Sequence, residues 1–478
     1  MAAKQLSDAD NTISDTIRKI FDSQEYITKM PTNGLQSDQI VSKLDQYATI
    51  GKVDWMKGRA SGTVYCNAGD TSLTKLMSRV FDKTAYTNPL HPDVFPGITK
   101  MEAEIVRMVC DLYNGSADTC GTLTCGGTES IILAVKAARD YGRHTKGITR
   151  AEVVAPVTAH AAFQKATQML GMKIRFIGVE PNTYKADLRA MRRAITGNTV
   201  MLVGSACNYP HGMIDDIQGI AKLGLKHCIP VHVDCCLGGF LVPFMSAAGY
   251  AIPAVDFSVP GVTSISADTH KYGFAPKGSS VIMYAHKKYR KHQFSVQTDW
   301  PGGIYATPTL AGSRCGANIA LCWATLLHFG VEGYVSATKQ IIKTQRYLKA
   351  ELAKVEGIEI MGDPHMSVIA IRAHRFNIFR LSDIMSEKGW SLNPLQFPSA
   401  VHICLTLMHA QTGVADAFLS DIKSVVIECL KTPEESGDGL GVIYGMAQTL
   451  PDRSLVTDIA SHYMDGLYTA WTHNQNHK

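Results

Sequence analysis

The sequence of 478 residues lacks several features that mark particular classes of protein. Its 12 cysteines form no Cys-x-x-Cys pair and no array with zinc spacing, so neither a disulfide framework nor a metal site is predicted. Only 19% of the residues are charged, the formal net charge is +5, and lysine and arginine do not cluster. A basic surface that binds nucleic acid is therefore not predicted.

The sequence is also poor in uninterrupted hydrophobic runs. The N-terminus is polar and has no apolar core of a secretory signal. The uncharged stretch 235–255 is long enough to cross a bilayer, but glycines and prolines interrupt it, which favours a buried loop and short helix. The sequence therefore predicts a soluble protein without a transmembrane segment, with free thiols in a reducing, cytoplasmic compartment.

A regular alternation of short apolar runs and helical patterns extends from about residue 61 to residue 325. Examples are "GTLTC" before "ESIILAVKAARDYG" and "TVMLVGSA" before "IQGIAKLGLKH". Such alternation is typical of a mainly parallel sheet with helices on both faces. The fold class is therefore α/β. We predict an N-terminal helical segment over 1–60, a large domain over 61–325 and a smaller α+β domain over 326–478.

Residues suited to ligand binding follow these apolar runs, where the ligands of open α/β sheets bind. The stretch "TCGGTES" reads as a strand end followed by a helix start. Gly126 and Gly127 would let the backbone approach an anion closely, and Thr128 could cap the helix. An ordinary capped helix start would give the same pattern. The spacing matches neither a Walker loop nor GxGxxG, so a nucleotide is not favoured.

Asp234, His160 and Lys271 each follow a different apolar run. Asp234 could cap a helix, bind a metal or pair with a protonated ring nitrogen, because a buried carboxylate needs a partner. His160 alone would more often be structural. Lys271, in "SADTHKYGFAPKG", could be neutral and nucleophilic if desolvation lowers its pKa, although any single lysine could instead lie in a solvated loop.

A helix-start anion site, a strand-end aspartate and a buried lysine are the three contacts that pyridoxal 5'-phosphate requires. The lysine would hold the cofactor aldehyde as an imine, the aspartate would keep the pyridine nitrogen protonated, and the helix start would bind the phosphate. His160 could then lie over the ring face. The order of these motifs resembles the fold-type I group related to amino-acid decarboxylases, which implies a seven-stranded, mainly parallel sheet.

The sequence further resembles the sphingosine-1-phosphate lyase family from about residue 55 to residue 465. The motifs that carry this likeness are "NPLHPDVFPG", "CGGTES", "HVDCCLGGF", "TSISADTHKYGFAPKGSS", "TDWPGGIYATPTLAGSR" and "GVIYGMAQT". The resemblance implies an enzyme that cleaves phosphorylated long-chain bases, such as sphingosine-1-phosphate, to phosphoethanolamine and a long-chain aldehyde. An amino-acid decarboxylase of the same fold and a catalytically silent lipid-phosphate-binding homologue are the alternatives.

The resemblance assigns roles to two groups of residues. The cofactor group comprises Gly127, Thr128, His160, Tyr209, Asp234, His270, Lys271 and Ser313. The catalytic group, around the substrate phosphate and amino-alcohol head, comprises Tyr65, His91, Lys271, Lys277 and Tyr444. The same resemblance implies a homodimer whose sites draw on both subunits, through Ser313 and Tyr65. Taken without the family, Lys277 could be a solvated turn lysine, and His91 could be only structural.

The sequence leaves two questions open: whether a membrane anchor belongs to the protein, and which residue is the general base. Family members from eukaryotes carry an N-terminal membrane anchor, and the sequence shows no such segment. A naturally soluble enzyme and a shortened chain would both account for this difference. The general base of the reaction is also open, because Lys271, His91 and the phosphate network are all candidates.

Overall fold

The computed structural model describes residues 26–51, 53–435 and 452–470. Its large sheet has seven strands: β1 (Cys120–Thr124), β2 (Glu152–Pro156), β3 (Lys173–Ile177), β4 (Thr199–Ser205), β5 (Val231–Cys235), β6 (Val262–Ala267) and β7 (Ser280–Tyr284). Their order across the sheet is β1-β7-β6-β5-β4-β2-β3. Only β7 runs antiparallel to its neighbours, β1 and β6. The predicted seven-stranded, mainly parallel sheet is confirmed.

Helices cover both faces of this sheet. The described helices are α1 (Ser37–Ala48), α2 (Thr71–Thr84), α3 (Pro96–Leu112), α4 (Gly127–Lys146), α5 (Ala162–Met169), α6 (Leu188–Ala194), α7 (Ile217–His227), α8 (Lys287–Arg290), α9 (Gly316–Leu352), α10 (Ile378–Glu387), α11 (Val414–Lys431) and α12 (Arg453–Leu467). Val153 and Ala155 of β2 belong to one apolar core, whereas Val154 between them belongs to another. Because strand side chains alternate between faces, both faces are buried, and the strands read as continuous apolar runs.

Aspartates start several of these helices. Asp70, Asp187 and Asp216 accept hydrogen bonds from backbone N–H groups in the first turns of α2, α6 and α7. A carboxylate at this position satisfies N–H groups that have no partner within the helix. These caps set where the apolar runs end and the helices begin.

A second sheet of four antiparallel strands lies in the C-terminal part of the chain. Its strands are β10 (Ile358–Ile360), β11 (Val368–Ala373), β12 (Asn393–Leu395) and β13 (Ala400–Cys404), in the order β10-β11-β13-β12. Helices α10 and α11 share an apolar core with it. A separate two-stranded hairpin, β8 (Ser295–Gln297) and β9 (Tyr305–Thr307), precedes α9. The predicted domain boundaries at 60/61 and 325/326 stay predictions.

Helix α9 is the one described helix that is long and apolar enough to cross a membrane. Its backbone leaves the helical conformation at Gly330, with φ 56° and ψ −177°, so two shorter helices meet there at a kink. Of its most apolar 18-residue window, 44% is buried, and the helix packs against α2 and α3. Such packing is typical of a core helix. The uncharged stretch 235–255 contains the end of β5 and a single 3-10 turn, Val242–Phe244.

A buried hydrogen bond holds the turn that follows β5. Tyr113, at the C-terminal end of α3, is inaccessible to solvent. Its hydroxyl donates to the carbonyl oxygen of Gly239 at 2.7 Å. A side chain at Gly239 would lie 3.0 Å from the carbonyl oxygen of Cys235, so this turn fits closely against the sheet. The bond therefore fixes the chain just after the carboxyl end of β5.

We expect Tyr113→Phe to lower the free energy of unfolding by about 1–3 kcal/mol, because the buried carbonyl of Gly239 would lose its donor. Urea denaturation of the parent and the variant measures the difference. The matched control is Tyr86→Phe at an exposed tyrosine, which should change stability little. Equal stabilities for Tyr113→Phe and the parent would contradict the role of this bond.

Candidate cofactor-binding and active site

A cavity of about 380 Å³ lies where β1, β2, β5 and β6 end. The residues that line it are Cys125, Gly126, Gly127, Thr128, Glu129, Ile131, His160, Cys236, Asp268, His270, Lys271, Lys277 and Gly278. They come from separate parts of the sequence, and the carboxyl ends of the parallel strands bring them together. Six of the predicted site residues are among them: Gly127, Thr128, His160, His270, Lys271 and Lys277.

The turn between β1 and α4 forms one wall of the cavity. Glu129, buried in the first turn of α4, accepts the backbone N–H of Cys125 at 2.7 Å and that of Leu310 at 2.9 Å. A side chain at position 127 would stand 2.8 Å from both carboxylate oxygens of Asp268, so only glycine fits there. The wall therefore presents the start of a 20-residue helix to the cavity, which is a suitable place for an anion.

Lys271 is paired with a buried carboxylate. Its Nζ lies 2.9 Å from Oδ2 of Asp268, and the exposed fractions of the two side chains are 21% and 1%. Burial acts to lower the pKa of Lys271, but the charge and hydrogen bond of Asp268, together with smaller contributions from Cys236 and Tyr65, outweigh it, so the pKa is raised. In the chain without a bound group, the contact with Asp268 therefore favours the protonated form of Lys271. The sequence indicated that Lys271 would be buried, but it did not indicate that Asp268 would be its counter-ion.

His270 turns one ring nitrogen away from the cavity. Its Nδ1 lies 2.5 Å from the carbonyl oxygen of Ser279, which can only accept, so Nδ1 carries the hydrogen. Burial lowers the pKa of His270, although Asp268, 3.9 Å from Nε2, acts in the opposite direction. The ring is thereby held with Nε2 on the side of Asp268.

Asp234 and His160 follow β5 and β2, as the sequence predicts. Asp234 is buried, and its Oδ1 accepts the backbone N–H of Cys236 at 2.9 Å. It lies outside the cavity lining, whereas its neighbour Cys236 lies within it. His160 lines the cavity, and the ring of Tyr209 meets it edge-on at 6.4 Å between centroids. Tyr209 packs in the same way against His402, at 4.7 Å, so it supports the wall rather than lining it.

Tyr65 and Lys277 form a second polar group beside Lys271. The Nζ of Lys277 lies 4.7 Å from the centroid of the Tyr65 ring in the same chain. Tyr65 is buried edge-on against Tyr272, 4.9 Å between centroids, and burial raises its pKa well above the ordinary value. Burial and the like charge of Lys271 lower the pKa of Lys277. Lys277 is itself exposed, but it lines the cavity and contacts the Tyr65 ring.

His91 and Ser313 lie together, away from the cavity lining of the single chain. Asn88 links them: the Nδ2 of its side chain donates to Oγ of Ser313 at 3.1 Å, and its backbone carbonyl oxygen accepts the backbone N–H of His91 at 3.2 Å. Asn88 Oδ1 also accepts the backbone N–H of Arg314. On one chain, His91 and Ser313 are therefore separate from the predicted residues that line the cavity. Tyr444 lies outside the described residues.

Sequence reasoning missed two residues that shape the cavity. Asp268 lies within the lysine motif, and its spacing of three residues from Lys271 is the signal that could have suggested an ion pair. Glu129 follows Thr128 directly and resembles an ordinary first-turn carboxylate. Its second partner, Leu310, is 181 residues away in sequence, so no local signal marks that contact.

The cavity residues fit pyridoxal 5'-phosphate. The start of α4, with the ring of His270 nearby, suits a phosphate, and Lys271 suits an aldehyde. The carboxylate of Asp234 is buried and contacts the backbone of Cys236, which lines the cavity, so it suits a protonated ring nitrogen. Asp268 Oδ1 is buried and has no hydrogen-bond partner among the described residues, so the cavity holds an unsatisfied acceptor beside the lysine. Such an atom is typical of a site built to receive a ligand.

We expect Asp268→Asn to lower the pKa of Lys271, because burial then acts without the counter-ion. Cofactor capture requires the unprotonated amine, so its rate should rise with pH in the parent. In the variant, the profile should move to lower pH by more than about one unit. The measurement is the rate at which the absorbance of lysine-bound cofactor, near ~420 nm, develops in cofactor-free enzyme.

The control for this experiment is Asp82→Asn, at an exposed aspartate of α2. Its pH profile should match the parent's profile. If Asp268→Asn also matches the parent, the pair does not set the protonation of Lys271.

Comparisons with known proteins agree with this site. Residues 24–374 match the family described as the pyridoxal-dependent decarboxylase conserved domain. The sphingosine-1-phosphate lyase of Drosophila melanogaster is 50% identical over 464 residues, which cover 97% of this chain and 85% of that protein. Sphingosine-1-phosphate lyase 1 of Rattus norvegicus is 53% identical over 447 residues, which cover 93% of this chain and 78% of that protein.

Solved structures give the same result. The sphingosine-1-phosphate lyase of Burkholderia pseudomallei K96243 has a TM-score of 0.82 at 38% identity, over 85% of this chain and 94% of that chain. The glutamate decarboxylase of Lactobacillus brevis, at 18% identity and a TM-score of 0.73 over 87% of this chain and 98% of that chain, shares the fold. The predicted fold class and pyridoxal 5'-phosphate cofactor are confirmed. The chain belongs to the sphingosine-1-phosphate lyase family of pyridoxal-dependent enzymes.

Proposed function

We propose that the chain is a lyase that cleaves the bond between the second and third carbons of phosphorylated long-chain bases. The products are phosphoethanolamine and a long-chain aldehyde. The observation that carries the proposal is the second cation, Lys277, which lines the same cavity as Lys271 and lies against the buried ring of Tyr65. One anion site at the start of α4 serves the cofactor, so a phosphorylated substrate needs cationic and hydroxyl groups of its own.

Pyridoxal 5'-phosphate would be held by Lys271 at its aldehyde, by Asp234 at its ring nitrogen, and by Gly127, Thr128 and His270 at its phosphate. When bound, the cofactor supplies an electron sink for the negative charge that develops on the second carbon of the substrate. His160, at the wall of the cavity, would lie against the cofactor ring, with Tyr209 supporting it.

The chain's own groups also position a proton and the substrate head. The proton on Nζ of Lys271 lies within hydrogen-bond reach of Asp268 Oδ2, so this pair can hold or pass a proton inside the cavity. Lys277 attracts the substrate phosphate, and the Tyr65 hydroxyl can donate to it, because its raised pKa keeps the hydroxyl protonated. The buried pair Tyr65 and Tyr272 excludes water from this side.

We expect Lys277→Ala to retain the absorbance of bound cofactor while losing more than tenfold in kcat/KM on a phosphorylated long-chain base. Removing a charged contact that bound substrate shields from water costs about 2–5 kcal/mol. Product analysis with the phosphorylated base, glutamate and aromatic amino acids in parallel measures the activity.

The control variant is Lys226→Ala, at an exposed lysine of α7, and it should cleave the base at the parent rate. Parent-like cleavage by Lys277→Ala would remove Lys277 from substrate recognition. Release of carbon dioxide from an amino acid, without cleavage of the base by the parent enzyme, would instead establish a decarboxylase.

We also propose that the active unit is a homodimer, in which His91 and Ser313 complete the cavity of the second subunit. Both residues lie outside the cavity lining of their own chain, and Asn88 holds them in one place. Tyr65 also lies outside the lining, but its ring contacts Lys277 of its own chain, which lines the cavity. If His91 and Ser313 act in the partner's cavity and Tyr65 acts in its own, variants at these positions should differ in whether they complement Lys271→Ala.

Mixing Lys271→Ala and His91→Ala subunits should restore about a quarter of the parent activity. Half of the dimers in a random mixture are hybrids, and each hybrid has one intact site. Mixing Lys271→Ala with Tyr65→Phe should restore none, because both residues belong to the same chain's cavity. Sedimentation of differently tagged subunits checks that hybrids form. If hybrids of Lys271→Ala and His91→Ala subunits form but are inactive, His91 does not act in the cavity of the partner subunit.

A further inference from the structure

The turn that runs from Asn208 to Met213, after β4, carries Tyr209 and fits closely against its surroundings. The backbone N–H of Asn208 donates to the carbonyl oxygen of Met213 at 2.9 Å, and the side chain of Asn208 is buried. A side chain at Gly212 would lie 2.8 Å from Cβ of Val368 in β11. The turn therefore lies directly against the second sheet.

His402 binds this turn from the second sheet. It stands in β13, where its backbone pairs with Ala370 of β11 and with Asn393 of β12, so its position is fixed on both sides. Its Nδ1 lies 3.0 Å from the carbonyl oxygen of Pro210, which can only accept, so Nδ1 carries the hydrogen. Burial lowers the pKa of His402 to about 4, so the ring is neutral at physiological pH. His402 therefore acts here as a neutral hydrogen-bond donor.

Stability alone does not explain a histidine at this position. His402 is 1% exposed, and its Nε2 has no hydrogen-bond partner among the described residues. A buried polar atom without a partner costs free energy, and an apolar side chain in the same strand would avoid that cost. What the histidine provides is the bond from Nδ1 to the turn that carries Tyr209.

A series of ring contacts connects His402 to the cavity. The ring of Tyr209 meets His402 edge-on at 4.7 Å between centroids, and it meets His160 edge-on at 6.4 Å. His160 lines the cavity, where it would lie against the cofactor ring. Pro210 follows Tyr209 directly, so the hydrogen bond from His402 fixes the backbone beside the Tyr209 ring. A shift of Tyr209 would therefore remove a support of His160.

We propose that His402 is a positioning residue for the reaction. Its hydrogen bond to Pro210 sets the place of Tyr209, and Tyr209 keeps the ring of His160 against the cofactor. His402 lies outside the cavity lining, and none of the described residues that line the cavity comes from the second sheet. The second sheet thus contributes to the active site through the turn. This inference rests on the proposed function.

The test compares two substitutions of similar shape in the holoenzyme. His402→Asn keeps an N–H donor near the place of Nδ1, whereas His402→Leu has none. The matched control is Gln345→Leu in α9, because the buried Gln345 donates from Nε2 to the carbonyl oxygen of Pro364, also at 3.0 Å. The measurements are urea denaturation, steady-state kinetics on a phosphorylated long-chain base, and the circular dichroism of bound cofactor near ~420 nm.

His402→Leu should bind cofactor but lower kcat at least about tenfold, with KM within about twofold, because a misplaced group impairs the reaction more than substrate binding. Its cofactor dichroism should fall at least about twofold, since this signal depends on how the protein holds the ring. His402→Asn should keep both quantities within about threefold of the parent, because the donor remains. The control should match the parent in both, even if its stability falls.

A double-mutant cycle with Tyr209→Ala tests whether His402 acts through Tyr209. If it does, adding His402→Leu to Tyr209→Ala should lower kcat less than about twofold further. Losses that multiply would overturn the proposal. If His402→Leu does not fold, the same cycle is measured with His402→Phe, which keeps a ring and lacks the donor.

Parent-like kinetics and dichroism for His402→Leu would also overturn the proposal. Equal losses for His402→Leu and His402→Asn would do the same, because the donor would then have no part in the effect. Failure of the proposed function would look different: the parent would not cleave the phosphorylated base, while the dichroism comparison would still report whether His402 positions the groups around the cofactor.

Discussion

The carboxylate of Asp268 is almost inaccessible to water, and a charge in such a place requires a counter-ion. The pairing with Lys271 meets this requirement and draws the lysine into the cavity. The same carboxylate leaves no room for a side chain at Gly127, so it also decides how closely α4 can approach. The anion wall, the lysine and the turn between them therefore depend on one buried charge.

Contacts between distant segments join the cavity to the rest of the surface. Glu129 bonds both the turn at Cys125 and the backbone of Leu310, and Asn88 joins the His91 turn to Ser313. Glu129 and Asn88 thus connect the cavity wall and the turn at His91 to the segment from Leu310 to Ser313. A substitution at Glu129 or Asn88 would therefore alter more than one of these regions.

Much of this arrangement could be predicted from the sequence, for identifiable reasons. Alternating apolar runs indicated the sheet, and residues placed just after those runs, such as His160 and Lys271, met at its carboxyl edge. The antiparallel direction of β7 was not predicted, because an apolar run reads the same in both directions. The direction in which the pKa of Lys271 is shifted could not be predicted from the sequence, because it depends on the contact with Asp268. The separate place of His91 and Ser313 follows from long-range contacts, which no local pattern encodes.

The antiparallel pairing of β6 and β7 places both cavity lysines on one connection. Ala267 at its start pairs with Val281 at its end, so the loop that carries Lys271 and Lys277 is clamped by the sheet on both sides. Two parallel strands would be joined by a long crossover connection, in which insertions and deletions could change the distance between the same two residues. Here the length of the loop fixes the spacing between the two lysines, and an insertion of one residue would change that spacing.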